Sequence, residues 1–304
     1  MLKKNDELQT RCGFVALIGA PNAGKSTLTN DFVGSKVSIV SSKIQTTRTQ
    51  VKGIGIYENS QIILVDTPGI FKPKRRLDRA MVYSAWNGAN DADIIVLIVD
   101  AKRGYDDETK DIVKNLNDVH QKVVLVLNKI DLVPKEDLLC LSAALNDDYK
   151  FAETFMISAL ESRDVDELYK YFADNLPVSP WYYPEDQISD MPLKFLTAEI
   201  VREKLFYFLH QELPYALTVE PELWEHRPDG SIRAEMTIYV EKDNQKRIVL
   251  GHGGSMIKRI GQTARKEIEA LLEERIHLFL FVKVRENWID DPARYEDWNL
   301  KFNA

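Results

Sequence analysis

Cysteine is nearly absent: Cys12 and Cys140 are the two in 304 residues. They form no CxxC pair and no Cys/His spacing suited to a metal, which excludes zinc-ribbon, iron–sulfur and disulfide-scaffold classes. A reduced, cytoplasmic setting is the simplest expectation. Long apolar runs are also lacking. The longest, such as "IIVLIV" at 94–99, fall far short of the roughly 20 residues a membrane-spanning helix needs. The opening "MLKKNDELQTRCGF" has lysines but no apolar core, so no signal peptide is expected. Nor is there an excess of positive charge. Forty Lys and Arg face 47 Asp and Glu, a net charge of −7, so a polyanionic partner would have to bind a local basic patch. No internal repeat or low-complexity tract is present.

What is there is an ordinary globular composition, 44% hydrophobic and 29% charged, long enough for about two domains. Residues 14–175 alternate short apolar runs with helical patterns. "FVALIG" (14–19), "QIILVDT" (61–67), "DIIVLIVDA" (93–101) and "KVVLVLNK" (122–129) are apolar throughout, as suits strands of a parallel sheet covered on both faces. Between them, 25–34, 78–90 and 107–119 read as helices. The alternation predicts a doubly wound, mostly parallel α/β domain over 1–178. At 176–192 four prolines break every period, and 179–192 reads as an extended linker. From 193 to 304 the order changes to a smaller α+β unit. It has a long helix over 193–213, strands over 215–226 and 231–243, and a short strand over 246–251. A glycine loop, a helix over 255–274 and a last strand over 276–286 complete it.

Gly19-Ala20-Pro21-Asn22-Ala23-Gly24-Lys25-Ser26 fits G-x-x-x-x-G-K-[ST], placed after an expected strand and at the start of an expected helix that continues with Thr27. Such a loop turns its N–H groups onto phosphates. The Lys25 ammonium then reaches the β- and γ-phosphates, and the Ser26 hydroxyl suits Mg²⁺. Asp66-Thr67-Pro68-Gly69 closes an apolar strand. There the carboxylate can hold Mg²⁺ through water, and the Gly69 N–H can face the γ-phosphate. Asn128-Lys129-Ile130-Asp131 ends a later strand on the same sheet edge. The Asp131 carboxylate can accept both N1–H and N2–H of guanine, with Asn128 bracing the site and Lys129 lying along the base. Ser158-Ala159-Leu160 follows a further strand pattern, and the Ala159 N–H could bond guanine O6. Together these motifs indicate a GTP/GDP site.

A second glycine cluster, Gly251-His252-Gly253-Gly254, fits G-x-x-G. That loop clamps the backbone of about four single-stranded nucleotides in KH domains. From Lys246 to Lys266 there are six Lys or Arg (Lys246, Arg247, Lys258, Arg259, Arg265, Lys266) and no acidic residue, a local footprint for a polyanion.

These stretches resemble the translation-factor-like P-loop GTPases. Along the whole chain the sequence resembles the Era family of bacterial GTPases. The residues that carry this are the P-loop with Pro21-Asn22, "SSKIQTTRTQVKGI" (41–54), "DTPGI", "NKID", "ISAL", "YYPED", "AEIVREKLF" (198–206), "ELPYALTVE" (212–220) and the glycine loop. The resemblance implies a GTPase domain followed by a type II KH domain in a monomeric protein. It also implies that "IQTTR" is the first switch, with Thr47 as the Mg²⁺-binding threonine and Thr46 the competing candidate. Residue 70, where Ras-like enzymes carry a water-orienting glutamine, is Ile70, so slow intrinsic hydrolysis is expected. In some relatives an asparagine matching Asn22 binds K⁺. The resemblance further implies 16S ribosomal RNA and the small ribosomal subunit as partners, and peripheral association with the inner membrane. GTP would order the switches and change how the second domain is presented. His252-Gly253 departs from relatives that carry a loop lysine. A second class stays open: a GTP-dependent scaffold whose C-terminal domain binds protein. A tRNA-modification GTPase is disfavoured, because no cysteine follows Cys140.

Overall fold

The computed structural model describes residues 9–304 apart from 42, 44, 45 and 212. The segment in which no signal peptide is expected lies mostly outside them, as do Ile44 and Gln45 of the expected first switch. The chain forms two compact units. One comprises 1–37, 47–190 and 303–304, the other 38–46 and 191–302.

The first unit is built on a six-stranded sheet in the order β2-β3-β1-β4-β5-β6. The strands are β1 (Arg11–Ile18), β2 (Val51–Tyr57), β3 (Ser60–Asp66), β4 (Ile94–Asp100), β5 (Lys122–Asn128) and β6 (Thr154–Ile157). All neighbours pair parallel except β2, which runs antiparallel to β3 at the edge. The continuous apolar runs are explained by what covers them, since successive residues of a strand face opposite sides. Val15, Leu17, Val96 and Val124 pack on α1 (Lys25–Val33) and α5 (Asp166–Asn175) through Leu28 and Phe172. Ala16, Ile18, Leu97 and Leu125 pack on α2 (Arg76–Asn90), α3 (Asp107–Asn115) and α4 (Lys135–Asp148). Strand β1 is central, with β3 on one side and β4 on the other. The winding direction therefore reverses beside it, which places a ligand crevice at its C-terminal end.

Residues 177–190, read as part of a linker, are extended and belong to this unit. The Cys12 N–H donates to Pro177 O at 3.2 Å, and Ile54 N–H donates to Ile188 O at 2.9 Å. Buried Gln61 accepts from the N–H groups of Tyr182 (2.9 Å) and Tyr183 (3.0 Å), and Trp181 Nε1 donates to Asn59 O at 3.2 Å. Proline removes donors, and backbone groups of the first unit together with the Gln61 side chain supply the remaining bonds.

The second unit runs α6 (Leu193–Phe208), β7 (Leu217–His226), β8 (Ile232–Val240), α7 (Asp243–Leu250), α8 (Ser255–Leu272), β9 (Ile276–Val284) and α9 (Pro292–Asp297). Its sheet has the order β7-β8-β9, antiparallel then parallel. Val201, Leu205, Met236, Ile238, Ile260, Ala264 and Ile268 form the centre of its core. The strand expected over 246–251 is a helix. Its Ile248-Val249-Leu250 run suits a strand by composition, but Val249 alone of the α7 residues is fully buried. The helix start is fixed upstream, where Gln245 Oε1 accepts from the N–H groups of Glu241 (2.9 Å) and Lys242 (3.1 Å). The glycine loop therefore joins two helices. The long helix expected over 193–213 stops at Phe208.

Candidate nucleotide site and glycine loop

Four stretches far apart in sequence meet at the C-terminal edge of the larger sheet. The P-loop links β1 to α1. Gly24 has φ +107°, and a Cβ there would lie 2.0 Å from Asn128 Nδ2, so only glycine fits. The same Asn128 Nδ2 donates to Ala23 O at 2.9 Å, which ties the "NKID" stretch to the P-loop. Lys25 is buried, and its Nζ donates to Gly19 O and Ala20 O, both at 3.1 Å. Burial lowers its pKa to about 8, against the opposing pull of the Asp66 carboxylate.

Ser26 Oγ donates to Asp66 Oδ2 at 2.6 Å and lies 3.0 Å from Thr47 Oγ1. Three oxygens that suit a hard cation therefore stand together. Thr46 Oγ1 instead donates to Lys43 O at 2.8 Å, and the Thr46 carbonyl accepts from the Arg202 guanidinium. The structure thus brings Thr47, and not Thr46, to the P-loop serine. Among the described residues no three His, Cys, Asp or Glu side chains cluster as a metal cage. A cation at Ser26 would need further oxygens from a bound nucleotide.

Thr67 Oγ1 donates to Leu17 O at 2.7 Å, securing the Asp66-Thr67-Pro68-Gly69 turn. A Cβ on Gly69 would stand 2.9 Å from Pro21, so the turn lies directly against the P-loop. Ile70 N–H donates to Gly19 O at 3.0 Å, and the Ile70 side chain is buried with Ala20. It has neither the chemistry nor the exposure to orient a water.

On the other flank, Asp131 Oδ1 accepts from Ser158 Oγ at 2.6 Å. The Ala159 N–H, expected to be available for guanine O6, donates to Asn128 Oδ1 at 3.0 Å. Lys129 adopts φ +66°, and its Nζ bonds Asn22 O at 2.8 Å and Asp100 Oδ2 at 2.5 Å. Sequence reasoning does not single out Asp100. Its signal is its place at the end of β4, on the same sheet edge. Asp31 escapes it too. It accepts from the Ser162 hydroxyl and from Tyr169 OH (2.7 Å), bracing the loop that carries Ser158, Ala159 and exposed Leu160.

In the second unit Gly251 ends α7 at φ +72°, where a Cβ would meet Met256 at 2.7 Å. Gly253 (φ +56°) and Gly254 (φ +77°) are also left-handed, yet an added Cβ at either would meet no atom within 4 Å. These two require glycine for conformation and leave their outer side open. His252 is exposed on the loop. Lys258 and Arg259 are exposed on the first turns of α8, with the Arg259 guanidinium 4.5 Å from the Phe208 ring centre. Arg247 is exposed and Lys246 half-buried on α7. A groove of 310 Å³ runs between α8 (Lys258, Gly261, Arg265) and β9 (Leu278, Phe279, Leu280). Its β9 wall is not anticipated by the sequence, because strand exposure is set by the sheet order that leaves β9 at the edge.

Comparison with known proteins agrees with both halves. Residues 14–129 match the model described as 50S ribosome-binding GTPase, and 212–289 match the KH domain. The chain is 60% identical to GTPase Era of Mesorhizobium japonicum, over 96% of this chain and 94% of that protein. It is 60% identical to GTPase Era of Brucella suis, over 98% and 96%. A crystal structure of Era in complex with MgGDPNP and nucleotides 1506–1542 of 16S ribosomal RNA superposes with a TM-score of 0.90. Identity there is 36%, over 94% of this chain and 98% of that one. A point variant of Aquifex aeolicus Era bound to GDP·AlF4⁻ gives the same TM-score, identity and coverage. The P-loop GTPase unit, the KH unit and the full-length identity place this chain in the Era family of GTPases.

Proposed function

We propose that this GTPase is a nucleotide-controlled switch that binds single-stranded RNA, the target being the 3′ end of 16S ribosomal RNA during small-subunit maturation. The observation that carries the reading is one chain holding two built sites: the Ser26–Asp66–Thr47 convergence at the P-loop, and the open glycine loop with its groove. The solved Era structure that superposes on this chain holds MgGDPNP and nucleotides 1506–1542 of 16S ribosomal RNA.

At the first site Lys25 is the phosphate cation, and P-loop N–H groups from 20 to 26 line the phosphates. Ser26 and Thr47 would ligate Mg²⁺ directly and Asp66 through water. When bound, the ion neutralises charge on the β- and γ-phosphate oxygens. Asp131 selects guanine, with Ser158 orienting its carboxylate and Lys129 lying along the base. Asn22 would hold a K⁺ ion if one assists. With Ile70 packed away, no side chain of the DxxG turn orients the attacking water, which fits slow intrinsic hydrolysis.

At the second site Gly253 and Gly254 allow a phosphate backbone to pass. The N-terminus of α8 and Lys258 supply positive potential. The groove above β9 receives the bases on an apolar wall, with Arg265 at its rim. We place the protein in the cytoplasm, with any membrane association peripheral. Crosslinking the protein in cells and sequencing the attached RNA tests the assignment. Reads concentrated at the 3′ end of 16S RNA are expected, and reads spread evenly over the transcriptome would refute it.

A further inference from the structure

The glycine loop is not the only basic feature. Between Thr67 and Asn90 the chain carries Lys72, Lys74, Arg75, Arg76 and Arg79, and a single acid, Asp78. That acid is buried, and its Oδ2 accepts from the N–H groups of Lys74 (3.0 Å) and Arg75 (2.9 Å). These two bonds cap the start of α2. Lys72, Lys74, Arg75 and Arg79 are exposed. On a protein of net charge −7 this is a concentrated positive surface, and neither the nucleotide site nor the glycine loop uses it.

Two polyanions could meet such a surface, a membrane and a nucleic acid. Stable membrane attachment by a basic segment needs an apolar face to insert or a second anchor. The apolar side of α2 is already engaged, since Leu77, Ala80, Met81, Ala85 and Ala89 are buried in the first unit. What remains outside is ammonium and guanidinium, with Arg79 Nε also donating to Ala304 O at 3.4 Å, and these groups suit phosphodiester oxygens. We propose that residues 72–79 form a second RNA-contacting surface on the nucleotide-binding unit, reading phosphates without base specificity. The choice of RNA as the polyanion rests on the function proposed above; the surface itself does not.

The test uses four full-length proteins: wild type, Gly253→Asp, the triple variant Lys72→Gln/Lys74→Gln/Arg79→Gln, and the combination. Each is bound to Mg²⁺ and a non-hydrolysable GTP analogue, then titrated with a 16S 3′-terminal RNA fragment across a salt series. The triple variant should flatten the slope of log affinity against log salt by roughly two, at about 0.7 per lost phosphate contact, in both the wild-type and Gly253→Asp backgrounds. GTP affinity, measured beside it, reports folding. An unchanged slope in both backgrounds overturns the proposal, whatever Gly253→Asp does. If Gly253→Asp has no effect while the triple variant does, the glycine-loop reading fails and the surface stands. Wild-type binding to phosphatidylserine vesicles that matches its RNA affinity, and is lost in the triple variant, would assign the patch to membranes instead.

Discussion

Lys25 Nζ lies inside a loop shaped for phosphate and donates to two of that loop's own carbonyls at 3.1 Å. Burial holds its pKa down at about 8. A triphosphate beside it would restore the charged form, so nucleotide binding should be linked to proton uptake. Below about pH 8 the ammonium is already charged and little is taken up. Above it, binding must also supply a proton, so affinity falls with rising pH. Titration calorimetry in two buffers of different ionisation enthalpy should reveal that uptake on the alkaline side of this pKa, and its absence would show that Lys25 is charged without nucleotide. Asp131 offers the complementary case at the base. Its carboxylate is oriented by the Ser158 hydroxyl at 2.6 Å. Replacing it by Asn removes a charged acceptor, which should weaken GTP by about 1.5–3 kcal/mol. The amide can instead donate to the altered ring edge of xanthine. Competition binding should show selectivity moving from GTP towards xanthosine triphosphate; unchanged guanine preference would remove Asp131 from base recognition.

At the scale of elements, the sequence is most legible where local pattern and tertiary burial agree. The parallel strands are readable because both their faces are covered, so periodicity is not needed. The P-loop and "NKID" are readable because their chemistry requires fixed residues at fixed spacing. Strand β2 is not, because its "VKGIGIY" carries two glycines. These make room for α1, since a Cβ on Gly53 would meet Thr29 and one on Gly55 would meet Phe32, both at 2.5 Å. Helix α7 is mistaken for a strand because "RIVL" looks like one when the cap at Gln245 is ignored. Asp31 is invisible, because an aspartate that braces a loop has no sequence pattern of its own, and Asp100 is marked only by its place at the end of an apolar strand. The glycine loop between α7 and α8 separates backbone conformation from charge. At Gly253 an added side chain meets open space but must accept φ +56°. Asn and Asp tolerate that region almost equally, and they differ by one charge. Gly253→Asp should therefore abolish RNA binding while Gly253→Asn retains most of it, both with wild-type GTP affinity in a parallel titration. Equal losses would mean that conformation, and not phosphate approach, governs the loop.

For the whole molecule, the decisive fact is that two cores exist. The buried residues of the cluster around Val201, Met236 and Ile260 lie within 196–282, while those of the clusters around Leu17 and Leu97 lie within 15–176. A ligand stabilises the unit whose native state it binds, by RT ln(1 + [L]/Kd). At a hundredfold excess over Kd this is about 2.7 kcal/mol. For the larger unit, built on β1–β6, that raises the midpoint by roughly 5–10 °C. Mg²⁺ with a GTP analogue should therefore move the unfolding of the β1–β6 unit, and single-stranded RNA that of the β7–β9 unit. Scanning calorimetry with hydrogen exchange on the two cores can separate these responses. In Gly253→Asp the RNA-dependent shift should vanish while the nucleotide-dependent shift remains. If GTP analogue alone raised protection equally in both cores, the chain would unfold as one cooperative body, and nucleotide and RNA would be coupled through global stability instead of through two separately built sites.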